Sequence, residues 1–227
     1  MTSNPQIIAD LKVIMEKDQH LELLSTYKGV PFVCKAKVQD ITQDTAGLVT
    51  QDPSLVCLAR DTLAKVLGSD YFEPAIAEIA GVDIAGGHIN LTNFSYIGAK
   101  LGERMIVRVE PKDPTRVSLE SLDIKTSAEL VDISISGLGL RVAHSEFNSA
   151  LKPGASILIR MSIPSVEINV SGTVLSAFKT DEFYRLSIRF AQDITQRSLI
   201  FKYLIDRRHE IEDEVRVEYQ TCLQSGD

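Results

Sequence analysis

The sequence predicts a mainly β protein of two barrel-forming domains, with a helix near the start of the chain and another at its end. Three observations predict it. Short apolar or alternating runs, broken by Pro, Gly and Asp, recur from about residue 20 to residue 192, the pattern of many short strands joined by turns. Helical spacing of apolar residues is strongest at the two ends. The length, 227 residues, suits one large domain or two small ones, and 44% apolar residues give each of two domains enough material for a core.

Taken in order, the first element is a helix. Asn4 is a good N-cap, Pro5 stands at the first helical position, and Ile7, Leu11, Ile14 and Met15 make an apolar stripe. From residue 20 to 99 the texture is that of strands: 31–38, 55–58 after the turn-forming Asp52-Pro53, 75–84, and 88–92 after Gly86-Gly87. A short helical stretch fits around 61–67. This first domain, 1–99, reads as a small, mostly β domain. A second β-rich block supplies candidate strands at 105–109, 117–119, 127–134, 139–142, 156–163, 167–177 and 184–190, and their spacing suggests a barrel. The chain then turns helical from about Thr195 to Leu223. Asp193 and Gln196 have capping-box spacing, and Leu199, Ile200, Tyr203, Leu204 and Ile211 form the stripe. Residues 210–214 are acidic and read as solvated. Block and helix together make the second domain, 100–227.

Composition excludes several function classes. No run approaches the roughly 18 apolar residues of a membrane-spanning helix, and Met1-Thr2-Ser3-Asn4-Pro5 has no signal-peptide character. A cytoplasmic protein without direct membrane insertion is the simplest expectation. Cys34, Cys57 and Cys222 form no CxxC pair, and His20, His88, His144 and His209 are scattered, so neither a disulfide framework nor a metal site is expected. The net charge of −7 argues against nucleic-acid binding through the overall field. An anionic ligand must be held by a local basic cluster.

Five cations recur at every fourth position: Lys100, Arg104, Arg108, Lys112 and Arg116. Pro111 and Pro114 forbid a continuous helix across them, and on a strand the spacing again keeps one face. The plainer reading is a solvated edge whose charges prevent aggregation. Further on, Asp132-Ile133-Ser134-Ile135-Ser136-Gly137 joins two apolar strands with a carboxylate, two hydroxyls and a glycine. The plainer reading there is a hairpin connection. RxxxR alone says little, because a second copy, Arg185 to Arg189, lies within a strand-like run.

Together the two pieces resemble the PilZ family, whose signature is RxxxR before a barrel and (D/N)xSxxG some two dozen residues later. The resemblance covers about residues 100–210. It implies a receptor for cyclic di-GMP, with Arg104 and Arg108 on a segment that wraps the ligand and Asp132, Ser134 and Gly137 lining the barrel side. The chemistry agrees. A guanidinium can fork onto phosphate or onto guanine O6 and N7 and can stack on a purine. A carboxylate can accept from guanine N–H groups, Ser134 can add a hydroxyl bond, and Gly137 permits close backbone approach. Glu103, directly before Arg104, is a departure that puts affinity and stoichiometry in question.

The first domain resembles, by position, size and strand texture, the β domain that precedes PilZ in flagellar-brake (YcgR-type) proteins, which implies a split-barrel-like fold for it. That arrangement implies that ligand clamps the junction between the domains and reorients them for a protein partner, with the chain a monomer or a homodimer. Two other classes compete, besides nucleic-acid binding through the 100–116 cations, against which the acidic remainder and the lack of clustered aromatics argue. One is a PilZ-fold adaptor that binds protein and no nucleotide. The other is an enzyme, for which Asp132, Ser134 and His144 could be imagined as hydrolytic parts, or the first barrel as a flavin holder. No Gly-rich phosphate loop, metal spacing or nucleophile–base set supports it, so neither catalysis nor a cofactor is expected.

Overall fold

The computed structural model describes residues 4–68, 72–97, 107–121, 124–164, 166–191 and 196–225. They fall into two units, one drawn from residues 1–27, 31–103 and 211–227, the other from 28–30 and 104–210. The fold is mainly β, two closed barrels with a helix at either end.

In the first unit the expected opening helix is α1 (Pro5–Glu16). The Asn4 side chain accepts from the Gln6 N–H at 2.9 Å, and Ile7, Leu11 and Ile14 are buried. Six described strands then close a barrel: β1 (His20–Tyr27), β2 (Val30–Ile41), β3 (Thr45–Val49), β4 (Leu63–Leu67), β5 (Ala75–Asp83) and β6 (His88–Tyr96), in the order β1-β2-β3-β6-β5-β4. Its core gathers the inward residues of those strands, among them Leu21, Leu23, Leu48, Ile89 and Leu91, with the apolar stripe of α1.

Two local expectations exchange places. The run 55–58, read as strand, is the short helix α2 (Leu55–Leu58). All four of its side chains are buried, which alternation along a strand would not achieve. The Asp52 side chain starts the turn by accepting from the Ser54 N–H at 2.9 Å. The stretch around 61–67, read as helical, carries β4 instead. Ala64 and Val66 face inward while Leu63 and Lys65 face out. Pairing with β1 on one side and β5 on the other outweighs the local preference.

In the second unit the strands are β7 (Arg108–Val109), β8 (Arg116–Ser121), β9 (Ile124–Ser134), β10 (Gly137–Ala143), β11 (Ser156–Ile163), β12 (Val166–Lys179) and β13 (Phe183–Phe190). The sheet runs β10-β13-β12-β11-β8-β9, and pairing of β9 with β10 closes it. The short β7 lies beside the end of β9, Arg108 opposite Ser134 and Val109 opposite Ile133. Leu130, Ile133, Leu138, Leu140, Leu186 and Ile188 fill the interior. The intervening positions of β9, β10 and β13 face outward, and the candidate site lies on that outer face.

The closing helix is α3 (Arg197–Ser225). Ile200, Tyr203, Leu204 and Ile211 of its expected stripe are buried, but Leu199 is 41% exposed. The stripe therefore turns away from Leu199 by one helical position. Arg207 is only 2% exposed: its Nε donates to the Glu110 carbonyl at 3.0 Å and its Nη1 meets Glu210 at 2.9 Å. Among the described residues, no helix is long and apolar enough to cross a membrane.

Candidate functional site

The site is built on a hairpin. Residues 132–134 end β9, Ile135-Ser136 turn the chain, and β10 begins at Gly137. Ser134 holds the turn together. It is fully buried, its hydroxyl donates to the Gly137 carbonyl at 3.0 Å, and the same oxygen accepts from the Ser136 N–H at 3.4 Å. The bond to ligand expected of Ser134 would thus compete with the turn's own bonds.

Gly137 is required by packing. A Cβ there would collide with the Ile188 carbonyl oxygen on β13. Its φ is not in the left-handed range, so closeness of two strand backbones, not a turn conformation, excludes a side chain. Two residues on, a Cβ at Gly139 would lie 2.8 Å from both Asp132 Oδ2 and Arg185 Nη2. Gly137 and Gly139 thus leave two outward positions of β10, between β9 and β13, without side chains, and the Asp132–Arg185 pair lies across the second.

Asp132 stands beside these glycines, 16% exposed. Its Oδ1 accepts from Arg108 Nη1 at 2.9 Å, and its Oδ2 accepts from Arg185 Nη2 at 2.5 Å. The two halves of the signature, 24 residues apart in sequence, meet in the first of these bonds. Both are charge-assisted, and together they orient the carboxylate. Arg108 and Arg185 remain 34% and 35% exposed, so each keeps donors toward solvent.

β7, which carries Arg108, is pinned from several directions. It pairs with β9. The Glu110 carbonyl accepts from Arg207, and the Glu110 N–H donates to the Lys28 carbonyl at 3.1 Å. Gly29, at φ 80°, leaves room for the Arg108 carbonyl, which any side chain there would strike.

Of the residues singled out from sequence, Arg108, Asp132, Ser134 and Gly137 come together on this face. Arg104, with Lys100 and Glu103, lies outside the described residues. Arg116 stands apart: it pairs opposite Glu129, five positions along β9 from Ser134, roughly 17 Å at strand rise. There it lines an open cleft of about 640 Å³ with Glu129, Arg141, Glu146 and Phe183. His144 places its Nε2 3.1 Å from the Thr180 carbonyl and its ring edge-on to Tyr184. Sequence reasoning missed Arg185 and Gly139. The second RxxxR was the signal for Arg185, and only strand register brings it to Asp132.

Residues 103–206 match the family model described as PilZ domain. No curated protein matches the chain. Solved structures similar to it include YcgR from Escherichia coli in complex with c-di-GMP, at 14% identity and a TM-score of 0.44, covering 94% of each chain. The MrkH–c-di-GMP complex of K. pneumonia shows 14% identity and a TM-score of 0.46, covering 94% of this chain and 98% of that one. The inhibitor of motility MotI/DgrA of Bacillus subtilis shows 15% identity and a TM-score of 0.44, covering 85% and 97%. With Arg108 and Asp132 joined on one face of the second barrel, residues 103–206 of this chain are similar to the PilZ domain family, whose model they match.

Proposed function

We propose that this protein is a cyclic di-GMP receptor whose ligand sits on the outer face of the second barrel. The observation that carries the reading is the bond from Arg108 to Asp132, which unites the two signature pieces in one polar cluster beside the glycines of β10. Arg108 supplies a guanidinium for phosphate or for a guanine edge. Asp132 supplies the acceptor for guanine N–H groups, Ser134 holds the hairpin, and Gly137 keeps the β10 backbone low. Arg104 is assigned a second guanidinium on the same segment.

The output follows from the position of that segment in the chain. Residues 1–99 are assigned to a separate β domain and 100–227 to the PilZ domain and its helix, so Arg104 and Arg108 lie just past the junction. Ligand that engages them changes the orientation of the two domains and thereby the surface offered to a protein partner. The protein acts as a receptor in the cytoplasm, without catalysis of its own, as a monomer or a homodimer. A second reading, an adaptor that binds no nucleotide, draws support from Asp132, whose two oxygens already hold two guanidinium groups.

Calorimetric titration of cyclic di-GMP into the wild type and into Arg104→Ala/Arg108→Ala separates the two. Binding at micromolar affinity or tighter, lost in the double variant, is expected. A wild type that takes up no ligand would leave the adaptor.

A further inference from the structure

The second RxxxR, Arg185 to Arg189, has no part in the family signature, yet strand register brings it to the same face. Arg185 and Arg189 are separated by four residues on β13, so they project to one side, roughly 13 Å apart. Arg185 reaches across Gly139 to Asp132. Arg189 is exposed and stands opposite Gly137 in the β10–β13 pairing. The two glycines of β10 therefore lie between Asp132 and Ser134 on one side and two guanidinium groups on the other.

Charge then decides what this wall does. Arg108 and Asp132 neutralise one another, and Arg141, the next cation along the face, is held 3.6 Å from Glu129. Arg189 makes no ion pair among the described residues, and Arg185 shares a carboxylate already matched by Arg108. Among the described residues, the uncompensated positive charge on this face thus belongs to β13. Cyclic di-GMP carries two phosphates, and a ligand of charge −2 needs more than a pair whose charges cancel.

We propose that Arg185 and Arg189 contact the ligand and form a second cationic wall of the site. This rests on the cyclic di-GMP reading. Arg189 forks onto a phosphate. Arg185 keeps one donor on Asp132 while its remaining N–H groups turn to the ligand, so that it both orients the carboxylate and binds.

The test is titration of cyclic di-GMP into the full chain as wild type, Arg108→Ala, Arg185→Gln, Arg189→Ala and Arg189→Lys. Arg189 is exposed, so its replacement leaves the barrel intact, and thermal unfolding without ligand verifies this. Loss of a charge-assisted contact predicts affinity lower by roughly ten- to a hundredfold in Arg189→Ala and in Arg185→Gln. Arg189→Lys recovers part of the loss, because a lysine keeps the charge without the fork. Binding that is lost in Arg108→Ala but stays within about twofold of wild type in Arg185→Gln and Arg189→Ala, well short of that charge-assisted loss, overturns this inference and leaves the receptor standing. A wild type that binds nothing overturns both.

Discussion

Gly137 and Gly139 are two residues apart on β10, but a methyl group added at each meets a different obstacle. At Gly137 it meets the carbonyl of Ile188, a backbone group fixed by the β10–β13 pairing. At Gly139 it meets the ends of two side chains, Asp132 and Arg185, which can rotate away. Gly137→Ala should therefore destabilise the second barrel by about 2 kcal/mol, as overpacking does, with or without ligand. Gly139→Ala should cost under about 1 kcal/mol in stability, since only side chains must move, but should weaken cyclic di-GMP binding by displacing the Asp132 carboxylate. Urea unfolding of the free proteins, set beside calorimetric titration, distinguishes the two. Equal stability losses would show that the Asp132–Arg185 pair is as rigid as a backbone. Half of this site could be read in the sequence. Arg108 and Asp132 were visible because a spacing marks them. Arg185 was not, because its place beside Asp132 depends on β13 pairing with β10 and on a glycine between them. Nor could the sequence say that the Ser134 hydroxyl is engaged inside the turn.

At the scale of elements, β7 is too short to hold itself. Two residues give one pair of partners on β9, and the strand is secured by groups from outside the sheet. Arg207 on α3 is foremost among them: buried, it bonds the Glu110 carbonyl two residues after Arg108. Arg207→Ala would leave that carbonyl without this donor and Glu210 without this partner. A loss of about 1–3 kcal/mol in stability is expected, chiefly from the Glu110 carbonyl that loses this donor, since Glu210 is half-exposed and can be solvated. Because the same residue steadies the segment carrying Arg108, affinity for cyclic di-GMP should fall as well, although Arg207 is assigned no contact with ligand. Unfolding and titration of this single variant give both quantities, and unchanged affinity would mean that the pairing with β9 suffices to place Arg108. Element order was legible wherever burial follows a single period, as in β11, whose bounds coincide with the expected strand, and in α1 with its cap. It failed at 55–58 and 61–67. There an apolar tetrapeptide and a mixed pentapeptide carry no period of their own, and tertiary pairing chose between helix and strand. The buried Arg207 was likewise invisible, since an arginine between helical turns reads as surface.

At the scale of the whole molecule the question is whether ligand changes the relation between the two domains, and the cysteines make it measurable. Cys34 and Cys57 are buried, and burial pushes their thiols up to about 11 and about 12 from an ordinary 9.0. The thiolate is the reactive form, so near neutral pH neither should be labelled by a maleimide. Cys222 is half-buried and is the native thiol to remove. In a Cys222→Ser chain, Lys12→Cys on α1 and Lys179→Cys at the end of β12 place one exposed labelling site in each unit. Fluorescence transfer between dyes at these two sites should change when cyclic di-GMP saturates the wild-type site, and should not change in the same chain carrying Arg108→Ala. Such a change requires ligand to engage Arg104 and Arg108 in one arrangement and not in the other, the difference in affinity that any ligand-driven shift needs. Transfer that stays constant while calorimetry reports full occupancy would remove the clamp and leave a receptor that signals through the ligand-covered face of its second barrel alone.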